Sequence, residues 1–318
     1  MDPILAEADS GASAASVAVP AERATVDVVI VAYNSRDTLR ACIDPLVRSP
    51  WIDITVVDNA CPENSAAVVV DLPVRIVRSP SNGGFAYGCN LGIANGSAEF
   101  VLLLNPDAEI DAASLAVLID ALRADRSLAG VGPRIVNDVG NLIHTQRRFP
   151  RLRLTYAQGL YLHRAAPGAA WADDCIRDPE AYERPGTAEW ISGCCMLLRR
   201  EAVASVGGLD EGFFLYSEEI DLFKRLATAG WRAGFEPRAT ARHIGYQSAD
   251  RHATERIRAI SRVRYARKHH GRLVAALEAW GVALGALVHA AAWIRRPARA
   301  RGNLLAAWAA MRAVRSAT

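Results

Sequence analysis

Three carboxylates lie within four residues of the segment FFLYSEEIDL (213–222), namely Glu218, Glu219 and Asp221, directly after an aromatic run. A carboxylate held beside a hydroxyl group can act as a general base while that oxygen attacks an electrophilic carbon. If Ser217 caps a helix, the acids fill its first turn, where unpaired backbone N–H groups stabilise each anion by roughly 0.3–1 kcal/mol. The same pattern also fits an acidic helix start without any catalytic role.

The spacing of the three acids divides them between different faces of the predicted helix. Glu218 and Asp221 are three residues apart and share a face, whereas Glu219 points about 100° away from Glu218. The three carboxylates therefore cannot all serve one point. Asp221 is four residues before Arg225, so we expect a helical ion pair between them.

A second group of polar side chains follows three predicted strands, at the point where each strand ends. The group consists of Tyr33 and Asn34, Asp58 and Asn59, and Asn105 and Asp107. Ligands of open parallel sheets bind beyond the carboxyl ends of the strands, so these residues are candidates for a binding site. Each one alone is also a common turn residue, and it is their repetition at three strand ends that favours a site.

The elements that must position these side chains alternate between strand and helix. Apolar, β-branched runs predict strands in VDVVIVAY (from Val26), IDITVVDNA, VRIVRSP, EFVLLLNPDAEI and AGVGPRIV. Helical periodicity separates several of these runs up to about residue 136. This alternation predicts an α/β domain with a mainly parallel sheet. Later segments add the strand EWISGCCMLLRR, the helix EEIDLFKRLATAG and a last strand that carries His243.

Two further helices have candidate N-terminal caps. Asn34 or Ser35 is predicted to cap a helix with apolar positions at 39, 43 and 46. Asp111 or Ser114 is predicted to cap the helix that follows the fourth strand.

Composition indicates a folded chain of 318 residues, 51% hydrophobic and 22% charged, with a net charge of +3. Residues 251–318 hold fourteen Arg or Lys and two Glu, a local net of +12, which leaves −9 for the first 250. Such a split predicts a basic appendage that meets an anionic surface.

Six cysteines without a CxxC spacing predict small, buried, reduced thiols. Residues 1–25 lack a long apolar core and read as a disordered tail rather than a secretory signal.

Seven motifs, in this order and spacing, resemble the family 2 inverting glycosyltransferases of the GT-A fold, especially the rhamnosyltransferase-like branch. They are VIVAYNS, VVDNA, NGGFAYGCNLGI, LLLNPDAEI, WISGCCMLLRR, GGLDEGFFLYSEEIDLFKRLATAGW and RHIGYQS. The resemblance implies a Rossmann-like, mainly parallel sheet over residues 26–250, a nucleotide-diphospho-sugar transferase domain. The charge and the helical pattern of residues 251–318 predict a basic helical extension after it. A redox enzyme is disfavoured, because no GxGxxG follows the first strand.

The resemblance also implies a nucleotide-sugar site. Its residues are Ala32, Tyr33, Asn34, Asp58, Asn82, Gly83 and Asn105, and the arginine-rich segment adds Arg148 as a candidate. The carboxylate of Asp58 suits the recognition of a base edge, because it accepts the imide N–H of uracil or thymine. Gly83 permits close approach of the backbone to the nucleoside. The arginines of RRFPRLR, with Arg148 foremost, either hold a diphosphate or form a solvated basic loop.

The segment Asn105–Asp107 occupies the place of the family's DxD metal motif, with Asn105 instead of the first acid. Asp107 and His243 are the implied ligands of a divalent cation, Mg²⁺ or Mn²⁺, that bridges the donor diphosphate. The neutral amide at 105 contributes less to metal affinity and leaves strict metal dependence open. His243 also has a structural alternative, a partly buried histidine bonded to the backbone.

In the family the catalytic base is the second acid of an acidic pair, which corresponds to Glu219, with Glu218 as the supporting acid. The resemblance implies a hexosyltransferase that moves rhamnose from dTDP-rhamnose to a glycan or polyprenyl-diphosphate-linked acceptor, in cell-wall or polysaccharide assembly. The alternatives are a galactosyl-, galactofuranosyl- or N-acetylglucosaminyltransferase that uses a UDP-sugar, or a non-catalytic nucleotide-sugar-binding scaffold.

The C-terminal segment 273–294 is long enough to cross a bilayer, but it is rich in Ala and Gly and flanked by arginines. Basic flanks with Trp and Leu favour helices that lie on an anionic membrane surface. We therefore expect a cytoplasmic protein, peripheral at the inner face of the plasma membrane. Two core-packing helices with a basic outer face are the alternative, and nucleic acid is disfavoured because no groove-reading motif is present.

Overall fold

The computed structural model describes residues 25–245, 251–292 and 297–315. The predicted tail falls, except for its last residue, outside this range. The strands are β1 (Val26–Ala32), β2 (Ile52–Asp58), β3 (Arg75–Arg78), β4 (Phe100–Leu104), β5 (Ala108–Ile110), β6 (Leu128–Val136), β7 (Leu142–Ile143), β8 (Gln146–Arg147), β9 (Gly186–Ala188), β10 (Trp190–Ile191), β11 (Cys195–Arg199) and β12 (Arg232–His243). The helices are α1 (Leu39–Ile43), α2 (Phe85–Ala94), α3 (Ala112–Ala124), α4 (Leu152–Gly159), α5 (Leu162–Ala165), α6 (Arg200–Ser205), α7 (Glu218–Thr228), α8 (Arg251–Ala292) and α9 (Pro297–Arg315).

A ten-stranded mixed sheet forms the centre of the protein, in the order β3-β2-β1-β4-β11-β6-β12-β5, with β7 and β9 attached at β6 and β12. Strands β1 to β4 are mutually parallel and β6 is parallel to β12, whereas β11 runs antiparallel between β4 and β6. The predicted α/β class with a mainly parallel sheet is thereby confirmed.

The sheet is buried on both faces, which explains why its strands are continuous apolar runs. Successive residues of β1 alternate between two cores, because side chains of a strand point to opposite faces. Ile30 packs with α1 and α3 on one face, while Val29 packs with α2, α6 and α7 on the other. All six cysteines are free and buried, as predicted.

The helix starts agree with the sequence in part. Asp111 caps α3 as predicted, accepting the backbone N–H of Ser114. The predicted cap of α1 is wrong, because Asn34 has a left-handed backbone (φ 49°) and the helix begins only at residue 39, after Thr38. Ser217 directly precedes α7 as predicted, but it too is left-handed (φ 68°) and its hydroxyl caps nothing.

The C-terminal extension is a compact helical unit. Helix α8 breaks at Gly271, whose backbone is left-handed (φ 87°), and its two parts pack with α9. The core of this unit consists of six alanines and one valine, namely Ala259, Val263, Ala266, Ala275, Ala279, Ala306 and Ala310. By length and composition Thr254–Ala292 passes as a membrane span, because an 18-residue window within it has a mean hydropathy of 1.7. Core helices pass the same test, and 44% of that window is buried.

Large apolar side chains on the second part of α8 point outward instead. They recur every three or four residues and form what we call the apolar stripe, Leu273, Leu277, Trp280, Leu284 and Leu287. Each is 41–75% exposed. The extension therefore has both a packed alanine core and an uncovered apolar face.

Candidate active site

The predicted site residues other than Arg148 lie at or near one edge of the sheet. Ala32 lies opposite Asp58 at the ends of β1 and β2, and β4 ends beside them, directly before Asn105. The antiparallel β11 begins at this same edge, because Cys195 pairs with Leu104. The backbone N–H of Asn105 donates to the carbonyl of Cys194 (2.9 Å). The turn 192–194 therefore lies beside the Asn105–Asp107 segment.

The end of β2 organises the nucleotide side of this edge. Asp58 is buried, and its Oδ1 accepts the backbone N–H of Cys61 (3.0 Å). Asn59 accepts the N–H of Gly83 (3.2 Å) and donates to Asn82 Oδ1 (3.0 Å) and to the carbonyl of Gly84 (3.1 Å). Asn59 was a candidate from its position at a strand end, and its hydrogen bonds show that it organises the glycine loop.

The glycine loop 82–84 lies against the segment that carries the acids. Gly84 has φ 89°, and a Cβ there would lie 2.2 Å from the carbonyl oxygen of Phe214. The N–H of Phe85 donates to that same oxygen (2.8 Å). Only glycine fits this contact, which joins the predicted nucleoside loop to the FFLYSEEIDL segment.

The predicted metal ligands are neighbours. Antiparallel pairing of β12 with β5 places His243 opposite Ala108, and His243 Nε2 lies 3.2 Å from Asp107 Oδ1. An imidazole and a carboxylate are a suitable partial donor set for Mn²⁺ or Mg²⁺. Within the described ranges no group of three or more His, Cys, Asp or Glu forms a metal cage. A cation here would need further oxygen ligands from a substrate diphosphate and from water.

Glu219 lies above the turn 192–194. An ideal Cβ on Gly193 would be 3.6 Å from the Cβ of Glu219, so the absence of a side chain at 193 keeps the space beside this carboxylate open. One carboxylate oxygen, Oε2, is buried and has no hydrogen-bond partner within the described ranges. Burial raises the pKa of Glu219, while backbone N–H groups and the charges of Arg147 and Arg258 oppose that rise.

Glu218 faces another environment. It is 5% exposed, and its Oε2 likewise finds no partner among the described residues. Burial and the neighbouring charge of Glu219 raise the pKa of Glu218 well above its ordinary value. The charges of Glu218 and Glu219 both act on the buried thiol of Cys89, so both acids lie near α2, the helix that follows the glycine loop.

Asp221 is an anchor rather than a reactive group. It is completely buried and accepts from Arg225 Nε (2.8 Å), as its spacing predicted, and from His269 Nε2 (2.8 Å) and Lys268 Nζ (2.7 Å). Burial alone would raise the pKa of Asp221, but the His269 and Lys268 hydrogen bonds and the Arg225 charge outweigh it and lower the pKa to about 2. The first turn of α7 is thereby fastened to α8.

The arginines of the RRFPRLR segment take different positions. Arg148 donates through one terminal nitrogen to the carbonyls of Asp173 (3.3 Å) and Cys175 (3.2 Å), so it supports the loop 173–175. Arg147 and Arg258 are the guanidinium groups whose charge reaches Glu219. Arg147 belonged to the predicted cluster, whereas nothing in the local sequence marked Arg258, which reaches the site through tertiary packing of α8.

Comparisons with known proteins show the family and the fold of the chain. The family model "Glycosyl transferase family 2" matches residues 27–207. The N-acetylglucosaminyl-diphospho-decaprenol L-rhamnosyltransferase of Mycobacterium tuberculosis is 30% identical over 214 residues, which cover 63% of this chain and 69% of the relative.

Two solved structures share the fold at low identity. A mannosyltransferase from Pyrobaculum calidifontis, in complex with GDP-Man and Mn²⁺, is 17% identical to this chain with a TM-score of 0.51. The match covers 91% of this chain and 86% of the mannosyltransferase. GalNAc-T7 with UDP, GalNAc and Mn²⁺ is 16% identical with a TM-score of 0.53 and covers 75% of this chain. This chain spans only 47% of GalNAc-T7. Both likenesses support the GT-A fold predicted from the sequence.

Proposed function

The chain belongs to glycosyl transferase family 2 and is a hexosyltransferase, and on this premise we propose an inverting transfer in which Glu219 is the general base. The observation that carries the proposal is the carboxylate of Glu219 beside Gly193, one oxygen of which is buried and has no hydrogen-bond partner among the residues that the structure describes. It shares the sheet edge with Asp58, the glycine loop and Asp107. We propose that these three elements hold the nucleotide-sugar donor.

The reaction moves one proton and exchanges one bond. Glu219 takes the proton of the acceptor hydroxyl as its oxygen bonds to the anomeric carbon, and the bond from that carbon to the diphosphate oxygen breaks. A base works best when its pKa lies near the working pH, and burial moves the pKa of Glu219 in that direction. A divalent cation held by Asp107 and His243 would neutralise charge on the departing nucleoside diphosphate.

We propose dTDP-rhamnose as donor and a polyprenyl-diphosphate-linked glycan as acceptor. The support is the 30% identity to the Mycobacterium tuberculosis relative, whose name gives both a rhamnosyl transfer and a diphospho-decaprenol acceptor. Binding measured across dTDP-, UDP- and GDP-sugars tests the donor. Preference for a UDP-sugar would instead indicate a galactosyl-, galactofuranosyl- or N-acetylglucosaminyltransferase.

The apolar stripe and the arginines of the extension support a position on the cytoplasmic face of an anionic membrane. Trp280 is 60% exposed at the centre of the stripe. Trp280→Gln should weaken sedimentation with phosphatidylglycerol vesicles while leaving donor affinity unchanged. Unchanged sedimentation would count against a membrane role for the stripe.

Glu219→Gln tests the catalytic assignment. General-base catalysis contributes about 10²–10⁴-fold, so turnover should fall by that factor while donor affinity stays near that of the wild type. The matched control is Glu201→Gln, a substitution at a mostly exposed acid of α6, which should change neither quantity. Parallel loss of donor binding and turnover would mean that Glu219 is structural, as expected for a non-catalytic scaffold.

A further inference from the structure

A cavity of about 250 Å³ lies outside the site of Glu219, between the start of α4 and the two parts of α8. Arg151 and Leu152 line it from α4, Arg262 and Tyr265 from the first part of α8, and Val274 from the second part. The cavity is smaller than the pockets that enclose whole drug-sized ligands, so it suits the head of a larger molecule.

Tyr265 supplies the strongest sign that this cavity takes a ligand. The side chain is 1% exposed, and its hydroxyl has no hydrogen-bond partner in the described part of the chain. Native proteins rarely leave a buried polar atom unpaired, and such an atom calls for an explanation. Burial, and after it the charges of Asp221 and Glu189, raise the pKa of the phenol well above its ordinary value, so the hydroxyl stays protonated and able to donate. Both carboxylates are paired with arginines, Asp221 with Arg225 and Glu189 with Arg151.

The surroundings favour an anionic acceptor for that hydrogen bond. Helix α4 begins here without a side-chain cap, and a helix start attracts negative charge. Arg151 and Arg262 add two guanidinium groups. The carboxylate of Glu278 also lines the cavity, but it is bonded to Arg262 (3.1 Å) and to the hydroxyl of Thr155 (2.7 Å). Arg151 is paired with Glu189 (2.7 Å) through one terminal nitrogen only.

The position of the cavity relates it to the proposed base and to the apolar stripe. Arg258, Arg262 and Tyr265 follow one another on one face of α8, about 10 Å from first to last along the axis. Arg258 is the member of this row whose charge reaches Glu219. At the other end, Val274 lies between Leu273 and Leu277, which begin the stripe. An acidic head in the cavity would therefore have the base on one side and an uncovered apolar face on the other.

We infer that this cavity binds the diphosphate of a prenyl-diphosphate-linked acceptor, and that a small movement of the Tyr265 ring turns its buried hydroxyl to the diphosphate as a direct donor. The inference rests on the proposed function and deepens it. The acceptor glycan would extend toward Glu219, and the isoprenoid chain would leave along the stripe. This diphosphate site is separate from the donor diphosphate at the sheet edge.

Binding of farnesyl diphosphate to the full chain, measured by calorimetry with the donor site saturated by dTDP, tests the inference. Tyr265→Phe removes only the unpaired hydroxyl. It should leave the melting temperature unchanged or higher, while farnesyl diphosphate binds about tenfold more weakly or worse, as expected for a lost hydrogen bond to a charged group. Equal binding by the wild type and Tyr265→Phe would overturn the inference.

Tyr182→Phe is the matched control, because Tyr182 is equally buried but its hydroxyl donates to the carbonyl of Ile176 (3.0 Å) and accepts from Gln146 (3.0 Å). It should lower the melting temperature and leave farnesyl diphosphate affinity unchanged. Farnesol should bind poorly, and inorganic pyrophosphate should compete. Competition by phosphatidylglycerol vesicles but not by pyrophosphate would assign the cavity to bulk lipid and overturn the acceptor assignment.

Two further outcomes separate this inference from the proposed function. If the wild type transfers no sugar to any prenyl-diphosphate-linked acceptor but binds farnesyl diphosphate through Tyr265, the proposed function fails and the site stands. If transfer occurs and Tyr265→Phe leaves the acceptor KM unchanged, the site fails and the proposed function stands.

Discussion

The attachment of α7 to α8 through Asp221 can be tested by Asp221→Asn. The pKa of this carboxyl falls from an ordinary 3.8 to about 2, and two pKa units correspond to about 2–3 kcal/mol of folding free energy. The substitution also leaves Arg225, Lys268 and His269 without their common anion. Removing one partner of a buried ion pair typically costs about 3–5 kcal/mol, so we expect a loss in that range at pH 7.

The pH dependence of this loss is distinctive. A carboxyl whose pKa is lowered by folding stabilises the protein above its unfolded pKa, and this stability disappears as the pH falls through the folded pKa. The difference in unfolding free energy between the wild type and Asp221→Asn should therefore shrink between about pH 4 and pH 2. Urea titrations across that interval measure it.

Asp71→Asn is the control for this experiment, because Asp71 pairs with Arg40 on the surface, where both side chains are 46–59% exposed. Solvent and salt screen such a pair, so this variant should lose little stability at any pH. A loss at Asp221 as small as that at Asp71, or one independent of pH, would refute the view that the buried carboxylate fastens α7.

Three further substitutions test the site and its supports. Arg258→Gln removes a charge that opposes the raised pKa of Glu219, so the acidic limb of the kcat/KM profile should move to higher pH; an unmoved limb would exclude this influence. Glu218→Gln should raise the melting temperature at pH 8 more than at pH 5. The pKa of this carboxyl is raised by folding, so its ionisation at higher pH destabilises the folded wild type. An equal effect at the two pH values would count against burial as the cause of the raised pKa. Gly285→Ala places a Cβ 2.7 Å from the Cα of Gly159, so we expect the free energy of unfolding, measured by chemical denaturation, to fall by about 1–3 kcal/mol. An unchanged free energy of unfolding would mean that α4 and α8 can move apart without penalty.

Much of the fold follows from local sequence. The apolar run of β1 predicted its strand, and the four-residue spacing of Asp221 and Arg225 predicted their ion pair. The partners Lys268 and His269 could not be predicted, because they lie almost fifty residues away on a helix whose packing the local sequence does not encode. The helix after β1 was placed too early for a local reason. The carbonyl of Ser35, not its side chain, receives the N–H of Thr38, so a turn precedes the helix.

The composition of the C-terminal segment fits both expectations for it, helices that pack on a core and helices that present an apolar face to a membrane. Its glycines and alanines suggested low hydrophobicity, and the structure uses them for contact. An ideal Cβ on Gly281 would lie 2.9 Å from the ring of Tyr156, so these small residues let α4 approach α8. The larger residues Leu273 and Trp280 lie on a neighbouring face of α8, about 80–100° from Gly281, and stay exposed. Periodicity alone could not distinguish the packed side from the open one.

The attachment of Asp221 to Lys268 and His269 bears on how this enzyme can be shortened for expression or crystallisation. Truncation at residue 250, where composition changes, would remove both of these partners and the hydroxyl of Ser261, which donates to the carbonyl of Leu215 (2.8 Å). A shortened chain would keep every residue of the donor site, yet the turn that carries Glu219 would lose its outer support. Surface substitution of the apolar stripe is thus a better route to a tractable sample than deletion of the extension.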